Sequence, residues 1–279
     1  MRERVLETLT TIEAEHRVKV LYACESGSRA WGFASADSDY DVRFLYLQRP
    51  EWYLSIWMDR HRDVIELPID NSLDVSGWDL RKALQLFRKT NPPLLEWLGS
   101  PIIYLERYSV AQQMRELAPL CYSPIACLYH YYKMAKGNYR DYLKGNTVWV
   151  KKYFYVLRPV LAVIWLERDM GVVPTPFREL VEGVVESEAL KEAIGQLVDK
   201  KRAGQELDRG PRDPLISEFL ERELARMEKV DFEKRVGACA MDELDALFCW
   251  ALEEVWGTAA IPGAHGDKPE KGEPCSTTS

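Results

Sequence analysis

Residues 24–46, CESGSRAWGFASADSDYDVRFLY, decide the reading of this chain. An apolar run ends at a small-residue turn, Gly27-Ser28. After ten further residues comes an alternating acid pair, Asp39 and Asp41, which leads into the strand-like VRFLYL. Side chains two apart on a strand point to the same face, so the two acids stand side by side. Adjacent carboxylates repel each other unless a positive charge lies between them, and a divalent metal is the usual answer. Gly27 and Ser28 bring backbone N–H groups and a hydroxyl to the start of a short helix at 28–31, a place suited to phosphate. These features together describe a site for a metal-bound triphosphate.

Outward from this stretch the chain runs α, then β, then mostly α. Residues 2–15 have helical spacing, with Val5, Leu6, Leu9 and Ile12 near one face. VKVLYACE reads as a core strand ending at the Gly-Ser turn, 34–38 as loop and 41–47 as a second strand. DVIELPI (63–69) is a strand interrupted by Pro68, and SLDVSGW (72–78) is another. Asp79 caps the helix LRKALQLFRKT, which stops at Asn91-Pro92-Pro93, and LLEWLGSP begins a short new segment. Beyond residue 107 the spacing predicts helices over 111–120, 124–143 and 148–171, the last kinked by Pro159 or carrying it in its first turn. A polar connection at 200–214 is expected to loop out before helices at 215–229 and 242–256. Residues from 260 onward, rich in Gly, Pro, Lys, Glu and Ser, are expected to be disordered.

Composition bounds the answer. A chain of 279 residues, 47% hydrophobic, can bury a full core. A net charge of −7 argues against coating nucleic acid with the whole surface, while leaving room for a local basic groove. The six cysteines, at 24, 121, 127, 239, 249 and 275, form no CxxC pair and read as reduced thiols. The four histidines are scattered and mark no metal cluster. No apolar run is long enough to span a bilayer, and the N-terminus has the pattern of an amphipathic helix, so the expected location is the cytoplasm.

Gly27-Ser28, ten intervening residues and Asp39-Tyr40-Asp41 resemble the signature of the nucleotidyltransferase superfamily that includes DNA polymerase beta. The longer string from Gly27 to Tyr46, with DVSGWDLRKAL, NPPLLEWL, SPIIY, KKYFYVLRPVLAVIWL and PTPFREL, is similar to one branch of it, the predicted nucleotidyltransferases associated with RNA-ligase systems. The resemblance covers roughly residues 20 to 180, and more loosely extends to about 255. It implies an α+β fold: a small catalytic α/β domain with a mixed sheet (1–106), a helical-bundle domain (107–259) and a tail (260–279). It also implies Mg²⁺ or Mn²⁺ as cofactor, two ions held by Asp39 and Asp41 between protein and triphosphate, with a third acid on a later strand placed to ligate one of them or to take the acceptor's proton.

Asp74, in LDVSG, is the leading third acid; Glu66, Asp70 and Asp79 are rivals, Asp79 having the plainer task of capping a helix. Arg29 and Arg43 flank the site and are placed to touch phosphate, although Arg43 is equally placed to pair with a neighbouring aspartate. The resemblance further implies a lysine from the helical half on the triphosphate, with Lys152 the first choice and Lys151 the alternative. Lys133, Lys136, Arg140 and Lys144 lie on one helix face with Tyr129, Tyr132 and Tyr139. That face reads first as a solvated surface and second as a contact for phosphate or RNA. Trp31 and Tyr40, beside the turn, are candidates for stacking on a base.

Taken singly, the Gly-Ser turn and the acidic loop have ordinary structural uses; their joint order gives them meaning. The expected activity is transfer of a nucleoside monophosphate from an NTP to a hydroxyl, with an RNA end as acceptor and an RNA-ligase system as partner. A protein side chain or a small molecule are further acceptors. The rival reading is a catalytically silent nucleotide-binding or partner-binding protein on the same fold.

Overall fold

The computed structural model describes residues 1–57, 61–204, 208–230 and 241–257. In chain order the elements are α1 (Arg2–His16), β1 (Lys19–Glu25), α2 (Gly27–Trp31), β2 (Tyr40–Leu47), α3 (Pro50–Tyr53), β3 (Val64–Glu66), β4 (Leu73–Asp79), α4 (Leu80–Arg88), α5 (Pro92–Leu98) and β5 (Ile103–Glu106). There follow α6 (Val110–Cys121), α7 (Pro124–Tyr142), β6 (Thr147–Trp149), α8 (Tyr153–Glu167), α9 (Phe177–Val184), α10 (Glu188–Arg202), β7 (Arg209–Pro211), α11 (Pro214–Met227) and α12 (Met241–Trp256).

The fold is α+β. Five strands form a mixed sheet in the order β3-β4-β2-β1-β5, with β2 and β4 parallel and the other neighbours antiparallel. Strand alternation sorts the side chains into two layers. Val42, Phe44 and Tyr46 of β2 and Leu73 and Val75 of β4 pack on one face, against Val5, Leu9 and Ile12 of α1. Each of these apolar side chains contributes roughly 1.5–3 kcal/mol by leaving water. Leu45 and Leu47 lie on the opposite face and join a core that continues through α4 to α12. A register shift between Val20 and Tyr22 turns both Leu21 and Tyr22 toward that second core. Gly77 of β4 lies opposite Phe44, and a Cβ there would meet the Phe44 ring at 2.3 Å, so only glycine lets the aromatic ring lie flat on its neighbour.

Helix ends are fixed by their own sequence. Asp79 accepts from the Arg81 N–H (2.9 Å) and caps α4 as expected. Asn91 accepts from the Leu94 N–H (3.1 Å), so the residue that stops α4 also starts α5 with Pro92 in its first turn.

Three local expectations need correction, and one strand was not anticipated. Residues 148–171 are not one helix: β6 and a single 3₁₀ turn, Val150–Lys152, precede α8, and Pro159 lies inside that helix. The polar stretch from 200 is not all loop, because α10 extends to Arg202 and Arg209–Pro211 pairs with β6. Ile103–Glu106 forms an edge strand beside β1 that local sequence did not announce. Finally, Cys24 and Cys127 are buried free thiols and Cys249 is an exposed one, but Cys121 is disulfide-bonded. The tail from residue 260 lies outside the described residues. Among the described residues no helix is long and apolar enough to cross a membrane.

Candidate active site

Strand register builds one wall of the site. Asp41 and Asp74 are direct partners across the parallel pair β2–β4, and Arg43 is opposite the small Ser76. By alternation Asp41 and Arg43 share the face of Leu45, which looks toward the helical half. Arg43 folds back between the two acids: its Nη2 donates to Asp74 Oδ2 at 2.7 Å and to Asp41 Oδ1 at 3.3 Å. Its Nη1 donates to the carbonyls of Val42 (3.0 Å) and Asp74 (3.2 Å).

The turn is fitted to Asp41. Gly27 has φ +57°, and a Cβ at that position would stand 2.1 Å from Asp41 Oδ2. The Ser26 N–H donates to the Asp41 carbonyl (2.8 Å), and the Asp41 N–H donates to Glu25 Oε1 (2.7 Å). Glu25 is fully buried and accepts the Tyr104 hydroxyl on its other oxygen. Burial raises the pKa of Glu25, an effect that these hydrogen bonds oppose. Burial also raises that of Asp41, Arg43 pulls it down, and the charges of Asp74 and Asp39 add to the rise.

A cleft of about 610 Å³ opens between this wall and the helical half. Ser26, Gly27, Ser28, Asp39, Asp41 and Arg43 line one side; Lys151, Lys152, Tyr155 and Lys201 line the other. Lys152 Nζ lies over the rings of Tyr142 (4.5 Å) and Tyr155 (4.7 Å), which orient it. Lys201 Nζ donates to Ser35 Oγ (3.2 Å), and Arg202 donates to the Gly32 carbonyl, so the end of α10 clasps the loop that carries Asp39. Trp31 also faces the cleft; beneath it Glu96 Oε1 accepts from buried Arg158 (2.7 Å) and Tyr131 (3.1 Å), while Oε2 accepts from Trp31 Nε1 (3.3 Å).

The structure therefore brings Gly27, Ser28, Asp39, Asp41, Lys151 and Lys152 to one cleft. Asp74 stands beside it at the expected register position but is not among the lining residues. Arg29 is turned to the loop, donating to the carbonyls of Ser38 (2.6 Å) and Asp39 (3.1 Å) and stacking over Tyr40 (3.6 Å). The other acids have different partners: Glu66 pairs with Arg62, Asp70 with Arg4, and Asp79 with the Tyr53 hydroxyl. On the basic face of α7, Lys136 pairs with Glu228 and Arg140 with Asp141, away from the cleft. Lys201 and Tyr155 escaped the sequence reading. Lys200-Lys201-Arg202 closes the last turn of α10, where positive charge is favoured, which marks a helix end and not a place in the cleft.

By sequence the chain falls in the DNA polymerase beta family of nucleotidyltransferases. The chain belongs to the RlaP family, described as the RNA repair pathway DNA polymerase beta family, whose profile matches residues 1–249. The uncharacterized protein YcgL of Bacillus subtilis (strain 168) is 48% identical over 257 residues, covering 92% of this chain and 98% of YcgL. The crystal structure of a nucleotidyltransferase-like protein from Exiguobacterium sibiricum 255-15 aligns over 89% of this chain and 88% of that one, with 12% identity and a TM-score of 0.29.

Proposed function

We propose that the protein moves a nucleoside monophosphate from an NTP to a hydroxyl acceptor and releases pyrophosphate. One observation carries this reading: Asp39 and Asp41 on one wall of the cleft face Lys151, Lys152 and Lys201 on the other. An acidic wall opposite a basic one suits a polyphosphate that arrives with a divalent cation.

The donor set fits Mg²⁺ or Mn²⁺ in its chemistry. Carboxylate oxygens are hard ligands, and a divalent cation would relieve both the burial that raises Asp41 and the smaller repulsion from Asp74 and Asp39. Among the described residues no three acidic, histidine or cysteine side chains already converge as a cluster, so Asp39 and Asp41 would share the ion with phosphate oxygens. Bound there, it would polarise the α-phosphate and lower the pKa of the acceptor hydroxyl.

The chain's own residues do the rest. The first turn of α2 offers N–H groups that have no intrahelical partner, and Ser28 adds a hydroxyl, for the phosphates. Lys152, with Lys151 and Lys201, takes the charge of the β- and γ-phosphates. The acceptor oxygen attacks the α-phosphorus in line as the bond to pyrophosphate breaks, its electron pair leaving with pyrophosphate. The hydroxyl proton would pass to Asp74, which stands beside the cleft, through one water and the carboxylate oxygen that Arg43 does not hold. An RNA end is the acceptor we favour, on the strength of the family description, with an RNA-ligase system as partner.

Incubation with each α-labelled NTP and Mg²⁺, with and without short RNAs, tests this. Label should move onto RNA or protein and fail to move with the Asp39→Ala/Asp41→Ala variant. Metal-dependent NTP binding without transfer would instead identify a silent nucleotide-binding protein. No NTP binding would sink the phosphate role of Gly27 and Ser28.

A further inference from the structure

We infer that the outer face of the two-stranded ribbon β6–β7 binds the acceptor, a single-stranded RNA end, with one base stacked on Trp149 and a backbone phosphate held by Arg209. This rests on the reading of the cleft as an NTP site with an RNA acceptor, and adds the surface that would deliver that acceptor.

The register separates the two faces of the ribbon. Val148 pairs with Gly210, is 1% exposed and belongs to the helical core, and Val150 packs against the same core. Trp149 stands between them and by alternation points the other way, together with its cross-strand partner Arg209. Thr147 and Pro211, the pair two positions along, share that face and are exposed. The Arg209 guanidinium lies 5.6 Å from the centre of the indole. A half-buried aromatic ring that belongs to neither hydrophobic core thus stands beside an exposed cation.

Charge singles out the same face. In a chain of net charge −7, neighbouring cations of the helical half are already neutralised: Lys136 by Glu228, Arg140 by Asp141, and Arg212 by Glu221. Among the described residues Arg209 has no carboxylate partner, and neither has exposed Lys144, three residues before the ribbon starts. Asp208, whose carbonyl continues the ladder by accepting from the Val150 N–H (2.9 Å), alternates away from Arg209. An open aromatic face next to an unpaired arginine suits a single strand, whose bases stack on rings while its phosphates meet cations. The bases of a duplex are already stacked on one another, so a free end is the form that fits.

Position joins the ribbon to the chemistry. Trp149 is followed at once by the 3₁₀ turn Val150–Lys152, whose two lysines line the cleft. From Trp149 to Lys151 is at most about 7 Å of chain. A strand seated on Trp149 therefore has its end within reach of the wall that faces Asp39 and Asp41.

The test titrates a 5′-fluorescein-labelled single-stranded RNA of about eight nucleotides and mixed sequence with the full chain in Mg²⁺, read by fluorescence anisotropy at several salt concentrations. Wild type, Trp149→Ala, Trp149→Phe and Arg209→Gln are compared, with thermal melting to confirm folding and Mg²⁺–NTP affinity measured on the same samples. Trp149→Ala should weaken RNA binding by roughly 5- to 100-fold, and Trp149→Phe, which keeps a ring, should restore much of it. Arg209→Gln should weaken binding and lower the slope of log affinity against log salt by about 0.7. Mg²⁺–NTP affinity should stay at the wild-type value in all three. No RNA binding by a wild type that binds Mg²⁺–NTP, or RNA binding unchanged in folded Trp149→Phe and Arg209→Gln and in any folded Trp149→Ala, overturns the inference and leaves nucleotidyl transfer to another acceptor standing. No Mg²⁺–NTP binding by the wild type removes the proposed function, and the acceptor role of the ribbon with it.

Discussion

Gly27 and Asp41 approach so closely that a single methyl group on the first would stand 2.1 Å from a carboxylate oxygen of the second. The turn and the acid are therefore one unit: the backbone to which the proposed function assigns the phosphates is the backbone against which the acid rests. The main-chain bond from Ser26 to the Asp41 carbonyl fixes the same spacing.

Gly27→Ala is expected to push Asp41 off the turn. The positive φ and the collision cost of order 1–3 kcal/mol, a fall in Tm of roughly 2–8 °C for a chain of this size. Metal-dependent NTP affinity should drop by more than the stability loss alone explains, at least ~10-fold. Calorimetric melting and nucleotide titration of the same variant check both; unchanged affinity contradicts the coupling.

Lys152→Gln and Lys201→Gln should each weaken binding of a nucleoside triphosphate while sparing the monophosphate. A charge-assisted contact is worth about 1.5–3 kcal/mol, hence roughly a 10-fold or larger loss, greatest at low salt. Equilibrium binding at two ionic strengths measures this. Equal losses for mono- and triphosphate would place these lysines elsewhere on the ligand.

The Glu96–Arg158 pair, with Trp31 and Tyr131 bonded to it, ties the base of the cleft to the helical core. Arg158 is 3% exposed, so Glu96→Ala leaves a buried charge without its partner and should cost about 3–5 kcal/mol. Urea unfolding of the Glu96→Leu/Arg158→Met double variant should recover much of that loss, as removal of both charges generally does. A Glu96→Ala protein as stable as wild type would contradict the account.

Burial pushes Asp79 up to about 6, against the opposing pull of its bonds from Tyr53 and Arg81. The native state thus holds a proton that the unfolded chain has released, and stability falls as pH rises from about 4 to about 6. Asp79→Asn keeps an acceptor for the helix cap and removes the titration. Urea midpoints measured between pH 4 and 7 should slope downward for wild type in that window and lie flatter for the variant.

Much of this architecture was legible in the sequence because local pattern and tertiary demand agree. The β-branched run before Gly27, the alternation around Asp41 and the spacing of Val5, Leu9 and Ile12 each name their element and face. The apolar–acid–apolar pattern around Asp74 named a strand with Leu73 and Val75 in the core, and that strand sets Asp74 beside Asp41. What escaped depends on residues far apart in the chain. Lys201 reaches Ser35 across 166 positions, and no periodicity announces that contact. The 3₁₀ turn at Lys151 and Lys152 looked helical because β6 is short and finds its partner only in Arg209–Pro211. The bonds from Arg29 to the Ser38 and Asp39 carbonyls likewise depend on the folding of the loop and have no local signal.

The most direct measurement of the central claim separates the two phosphate products. Wild type and Asp39→Ala/Asp41→Ala are incubated with NTP, Mg²⁺ and a short RNA, and pyrophosphate and orthophosphate are each quantified against time. The account predicts pyrophosphate from the wild type in a one-to-one ratio with nucleotide incorporated, and none from the variant. Orthophosphate in place of pyrophosphate, or pyrophosphate release undiminished in the variant, would contradict it.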